Sequence, residues 1–363
     1  MAVEREYVGI EPFFAAGTYL AASANIDFQQ LFYIAAISQI ALLGLLIYAH
    51  LTKFVLSSRT YRFLTLSMAL GAGIFCGLNG RLISLEDNGP IREFFLHLGT
   101  NLQTTIDDIS FKDKEINNVL KALLSGNRND ISHETIDAFR LSGASHILAL
   151  SGLHLGIIYG LISKATSLFG GSHRGKTTRC ILNICFCTIY TLATGASSSI
   201  TRALTFIAIN EIGNLTGRPA RLERILRKSL MIQLIIRPCS IMEIGFQLSY
   251  AAMAGIAWIH PLLKKAWPKE GRETIIKKIW DTAAVSISCQ ATTAPIAYHY
   301  FGTFPIYFLL TNLLVLPITG IIIPISATTV LLTSIGICPD ILIRATEGVT
   351  SCLIFVLKTI SQM

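Results

Sequence analysis

Charge is what this chain has least of. Asp, Glu, Lys and Arg make up 14% of its 363 residues, against about 25% in a typical soluble domain. Hydrophobic residues make up 52%, and mean hydropathy is +0.56. That balance excludes an ordinary soluble fold, which has no interior large enough for so much apolar surface. The eight cysteines, at 76, 180, 185, 187, 239, 289, 338 and 352, lie in or beside apolar runs without CxxC pairs. Neither a zinc site nor a disulfide framework is expected. HExxH is also missing, since HETID at 133 lacks the second histidine. Nothing resembles the HxHxDH run of a metal-dependent nuclease. We therefore expect no metal, no cofactor and no catalytic residues.

Long apolar runs are what the chain does have. LFYIAAISQIALLGLLIYAHL, at 31–51, can cross a hydrocarbon core of about 30 Å at about 1.5 Å per residue. Further candidates lie near 9–24, 63–79, 143–163, 180–195, 200–216, 229–262, 280–300, 304–335 and 340–360, two of them long enough for two spans each. The expected fold class is all-α: a polytopic integral membrane protein with roughly 10–12 transmembrane or re-entrant helices. The first segment keeps Glu11 and shows no small-residue cleavage site, so it reads as a retained anchor. The expected location is the cell (inner or plasma) membrane, crossed many times.

The net charge of +8 follows topology. Basic residues gather at Lys53, Arg59 and Arg62; at Lys164, Arg174, Lys176 and Arg179; from Arg218 to Lys228; and from Lys264 to Lys278. The positive-inside rule puts these loops in the cytoplasm. Region 81–140, with ten acidic and seven basic residues, then lies outside. Within it, Ile91, Phe94, Phe95, Leu98, Leu102 and Ile106 share one helical face, suited either to a membrane surface or to a neighbouring bundle. NNVLKALLSG and SHETIDAFRLSG read as two short helices, the second capped by Ser132.

GGSHRGKTT, from Gly170, matches the P-loop pattern in letters. A P-loop works between a buried strand and a helix. Here it joins two apolar helical stretches, and no run ending in Asp supplies a magnesium ligand. It reads as a basic cytoplasmic connector.

Polar groups inside apolar spans usually face a bundle interior or a hydrated path. Four clusters qualify. SGASHILALSGLHLG holds His146, Ser151, Gly152 and His154, with a Ser-Gly step that can interrupt the helix; TGASSSITRA brings three serines before Arg202. EIGFQLSYAA carries Glu243, Gln247, Ser249 and Tyr250, and YHYFGTFPIYFLLTNLLVLP carries His299, Tyr300 and Asn312. Any one of them is equally consistent with polar contacts that glue helices together. The guanidinium of Arg202 suits a phosphate. Ser151 and His154, at i and i+3, are spaced like a nucleophile and its base, but spacing alone does not make that geometry.

ALLSGNRNDI, FRLSGASHILALSGLHLGII, IYTLATGASSSITRALTFIAI, EIGFQLSYAAMAGI and YFGTFPIYFLLTNLLVLP stand in the order and spacing of the ComEC competence-protein family, which this chain resembles over about 115–335. The resemblance implies an inner-membrane channel that passes single-stranded DNA during natural transformation. It implies His146, Ser151, Gly152, His154, Arg202, Gln247, Ser249 and Asn312 as channel-lining or DNA-binding residues, with Tyr250, Tyr300 and Phe301 as stacking surfaces. It also implies as partners the lipid bilayer, a cytoplasmic DNA-translocating ATPase and a separate DNA-binding receptor or nuclease, with a homo-oligomer possible. Longer relatives carry an OB-fold and often a nuclease domain. Region 81–115 is too short and too helical for the first, and the chain stops at Met363 soon after its last apolar run. The expected organisation is an N-terminal transmembrane segment at 1–80, an amphipathic-helix region at 81–114 and a competence-type membrane domain at 115–363. The other function open to the same fold is a small-solute or lipid-linked permease with a closed midplane pocket.

Overall fold

The computed structural model describes residues 9–23, 58–83, 90–170, 172–266, 275–302, 306–337 and 339–363, and every regular element among them is helical. The apolar run at 31–51 lies outside the described residues. The first helices are α1 (Glu11–Ser23), α2 (Ser58–Ile83), α3 (Pro90–Asp107), α4 (Lys114–Ser125) and α5 (His133–Leu141). A single turn, α6 (Ser145–Leu148), precedes α7 (Gly152–Thr166), α8 (His173–Ala193), α9 (Ser198–Leu215) and α10 (Leu222–Ile236). After α11 (Ile244–Trp258) and α12 (His260–Lys265) come three long helices, α13 (Ile275–Phe301), α14 (Phe308–Ser334) and α15 (Asp340–Ser361).

Two compact units divide the chain: Met1–Asp87 with Arg224–Gln247, and Asn88–Glu223 with Leu248–Met363. In the first, α1 and α2 pack backbone to backbone. A Cβ on Gly17 would strike the Leu70 carbonyl, and one on Gly73 the Phe14 carbonyl. Gly73 and Gly77 in GIFCG, set against Phe14, Thr18 and Ala21, form a small-xxx-small seam of the kind that joins helices in lipid.

In the second unit the core runs from the end of α3 through α4, α5 and α6 to α14 and α15. Ile106, Leu120, Leu123, Phe139, Ile147, Ile322 and Leu353 are buried there together. The caps follow from sequence: Asp113 accepts from Glu115 N at 2.9 Å and Ser132 from Thr135 N at 3.3 Å. Lys121 lies among α4's buried residues and pairs with Asp107 at 2.9 Å and Asp130 at 2.7 Å. The apolar face of α3 divides in two. Leu102 and Ile106 pack into the core and Gly99 meets the Ala193 carbonyl, while Phe94 and Leu98 are exposed.

Among the described residues α14 alone is both long and apolar enough to cross a bilayer; Arg62–Leu78 in α2 is a shorter apolar stretch. The run at 304–335 forms one helix of 27 residues rather than two spans, because Pro317 and Pro324 are carried inside it. The run at 229–262 does divide: α10 ends at Ile236, and Pro238 opens a 3-10 turn before α11. α14 buries Thr311, Thr319, Ser326 and Thr329 beside Val315, Ile322, Ile323 and Val330, and its exposed face carries the apolar Leu310, Leu314, Ile321 and Leu331.

Candidate functional site

The Ser-Gly step interrupts the chain between α6 and α7. Ser151 caps α7 with its hydroxyl on Leu153 N at 3.3 Å, and the ring of His154 closes the cap from the other side. Ser151 N donates to His154 Nδ1 at 3.3 Å, and Ser151 Oγ lies 3.0 Å from the same nitrogen. A ring nitrogen that accepts from a backbone N–H carries no proton, so neutral His154 holds its proton on Nε2. That atom is buried and has no hydrogen-bond partner, in a side chain 0% exposed. The Ser151–His154 contact is thus a reciprocal helix cap, and among the described residues nothing orients the far side of the ring as a triad's third member does.

The second interruption lies at Gly195 and Ala196, both at positive φ, 83° and 48°. The chain then enters α9 through Ser197, which makes no side-chain cap bond. Arg202 sits one turn into α9 and is 6% exposed. Its Nε donates to Ser249 Oγ at 2.5 Å, and that hydroxyl lies 3.2 Å from Ser199 Oγ. The guanidinium lies over the rings of Phe206, at 5.5 Å, and Tyr250, at 6.0 Å. Its Nη2 stands 3.2 Å from where a Cβ on Gly152 would be, so it presses on the first residue of α7. Among the described residues no carboxylate pairs with Arg202. Glu211 on the same helix accepts from Tyr159 Oη, and Glu243 faces Arg237 at 3.7 Å in the other unit.

Of the residues singled out in the sequence, Gly152 meets Arg202, which is bonded to Ser249, while Ser151 and His154 cap the same first turn of α7. His146 sits apart on α6, where its Nδ1–H donates to Gly143 O at 3.1 Å. Gln247 falls in the first unit and donates from Nε2 to Ile241 O at 3.0 Å. Asn312 lies on α14 with Oδ1 buried and unpartnered. Tyr300 and Phe301 end α13 and are exposed; Tyr250, by contrast, is at the arginine. Sequence reasoning passed over Phe206, whose i+4 spacing from Arg202 was the available signal. It also passed over Arg128, whose Nε donates to Leu148 O at 3.0 Å and ties α4's C-terminal loop to the carbonyl end of α6. The P-loop letters lie between helices: Gly175, Lys176 and Thr177 are inside α8, and Gly175 N is already taken by Ser172 Oγ at 3.1 Å.

Together these features define a class: a helical bundle that buries, one turn into α9 and against the first residue of α7, an arginine with no carboxylate partner among the described residues. Residues 123–363 match the family described as Competence protein, and the chain belongs to that family. It is similar to ComE operon protein 3 of Bacillus subtilis (strain 168), with 30% identity over 220 residues, which are 60% of this chain and 27% of that relative. No solved structure matches the chain.

Proposed function

We propose that this chain is the membrane-embedded channel core through which one strand of DNA passes during natural transformation, and that it does no bond-making chemistry itself. The observation that carries this reading is Arg202. Burying a guanidinium costs several kcal/mol unless an anion or a dense set of acceptors answers it, and here one serine hydroxyl and two ring faces do. Such a charge is best explained by a ligand that supplies the anion, and DNA supplies one phosphate per nucleotide. Family membership supports the process. The apolar exposed face of α14 and the small-residue seam of α1 and α2 support a lipid setting. In this reading the chain spans the membrane many times, with 164–179, 217–228 and 263–278 in the cytoplasm and 81–140 outside. A cytoplasmic motor supplies the energy, and other polypeptides capture the DNA and degrade its complement. The test is import of labelled DNA in a transformable host carrying this gene or its deletion. Loss of import with surface binding of DNA intact supports the reading; unchanged import in the deletion strain sinks it.

A further inference from the structure

Building on the channel reading, we infer that Arg202 and the first turns of α7 and α9 form a seat for a single phosphodiester group, which grips the backbone of a nucleic-acid strand and reads no base. The first support is backbone geometry. α7 and α9 run for 15 and 18 residues, long enough for their dipoles to favour an anion at their N-termini, although Leu153 N of α7 is already taken by Ser151 Oγ. At α9 the cap residue Ser197 makes no side-chain cap bond, so its hydroxyl is not spent on the first turn.

The second support is independent and lies in the arginine. Of five N–H donors on a guanidinium, the Nε–H of Arg202 is bonded to Ser249, and among the described residues the Nη groups meet no hydrogen-bond acceptor, in a residue 6% exposed. Nη2 packs against Gly152, the first residue of α7, so closely that a Cβ there would stand 3.2 Å from it and 3.4 Å from the Ala203 Cβ. The missing side chain at 152 is what lets the donor fork reach the start of α7.

The chemistry of the ligand follows from what surrounds the fork. One guanidinium supplies one positive charge, which balances the single negative charge of a phosphodiester. The two nearby rings, Phe206 and Tyr250, already hold the guanidinium and do not present an open platform for a base. Ser199 and Ser249 are bonded to each other, and among the described residues no carboxylate or amide side chain hydrogen-bonds into the cluster to read a base edge. A seat of this kind holds successive phosphates of any sequence, as a path for incoming DNA requires.

The full chain in zwitterionic-lipid nanodiscs provides the test, with three probes of equal length: oligothymidylate, an abasic phosphodiester oligomer and an uncharged methylphosphonate oligomer. The expected result is that the first two bind within about threefold of each other and the third at least about tenfold more weakly. Arg202→Gln should weaken both charged probes by about tenfold or more, and Arg202→Lys by less. Should Arg202→Gln fail to fold, Gly152→Ala serves instead, since its methyl group asks its neighbours to give by only a few tenths of an ångström; it should weaken both charged probes alike. An abasic oligomer that binds tenfold more weakly than oligothymidylate overturns the base-blind seat and leaves the channel reading standing. Binding of neither charged probe overturns both. Displacement of the abasic oligomer by phosphatidylglycerol in the disc makes the occupant a lipid headgroup and overturns the assignment to nucleic acid.

Discussion

Lys121 shows how asymmetric burial decides the cost of breaking an ion cluster. Its side chain is 8% exposed, while those of Asp107 and Asp130 are 52% and 54% exposed, at 2.9 and 2.7 Å. At an effective dielectric of about 20 each contact is worth about 6 kcal/mol of gross attraction. Burying the ammonium offsets several kcal/mol of that. Lys121→Met removes both effects, fills most of the same volume and lets two half-exposed aspartates rehydrate, so the net loss is about 1–2 kcal/mol. Replacing both aspartates by Asn does the reverse. It strands a buried ammonium without a carboxylate, and the loss is about 3–5 kcal/mol. Thermal unfolding of the purified full chain in detergent reads the difference at about 2–4 °C per kcal/mol. Lys121→Met should lower the midpoint by about 5 °C and the double Asn variant by about 10 °C. The pH dependence is a further check. Burial works against the ammonium, but Asp130 and Asp107 outweigh it and hold its pKa above 10.5. This stability is therefore fully present below pH 10.5 and lost as pH rises through the higher folded value. A Met variant that loses as much as the double Asn variant refutes the reasoning, because the energy would then follow the number of pairs rather than the burial of one partner.

At the acid end, burial raises the pKa of Glu115, but hydrogen bonds from Thr135, Ser132 and Asn118 outweigh it and bring it below 4.5. Its contribution is present above pH 4.5 and lost as pH falls through the lower folded value, so Glu115→Gln should flatten the acid limb of the stability profile; an unchanged limb argues against it. Cysteines placed at Arg221 and Lys269 should resist an impermeant reagent in intact cells while one placed at Asp113 reacts, and labelling at the first two from outside contradicts the topology. Lys176→Ala should leave DNA import unchanged and abolish no nucleotide binding, since its segment begins a helix that follows another helix; a specific loss of nucleotide binding shows that the connector is a true phosphate loop.

The interruption at Ser151-Gly152 was legible because serine is a favoured N-cap and a polar step inside an apolar run is costly; the second falls at Gly195 and Ala196, just ahead of the serine run, and Ser197 makes no side-chain cap bond. Arg202 was legible for the same reason of cost. The serine that holds it was named in a motif 47 residues away, but only the fold joins the two. EIGFQLSYAA reads as one polar patch, yet Gln247 and Ser249 stand two residues apart on a helix, about 200° around its axis. Gln247 hydrogen-bonds Ile241 in one unit and Ser249 holds Arg202 in the other. GIFCG at 73–77 carried the signal for close helix packing in plain letters. Hydropathy made 304–335 look like two spans, because a window average does not register that a helix can carry prolines where neighbouring groups satisfy the freed carbonyls.

The most direct measurement of the central claim is DNA import per molecule of folded, membrane-inserted protein, compared between the native chain, Arg202→Gln and Arg202→Lys in the same transformable host. If Arg202 answers the phosphates of a passing strand, Arg202→Gln lowers import by about tenfold or more at near-native abundance, and Arg202→Lys, which keeps the charge but not the planar fork, restores part of it. Native import by Arg202→Gln, at equal abundance in the membrane, contradicts the claim and returns Arg202 to the status of a structural charge.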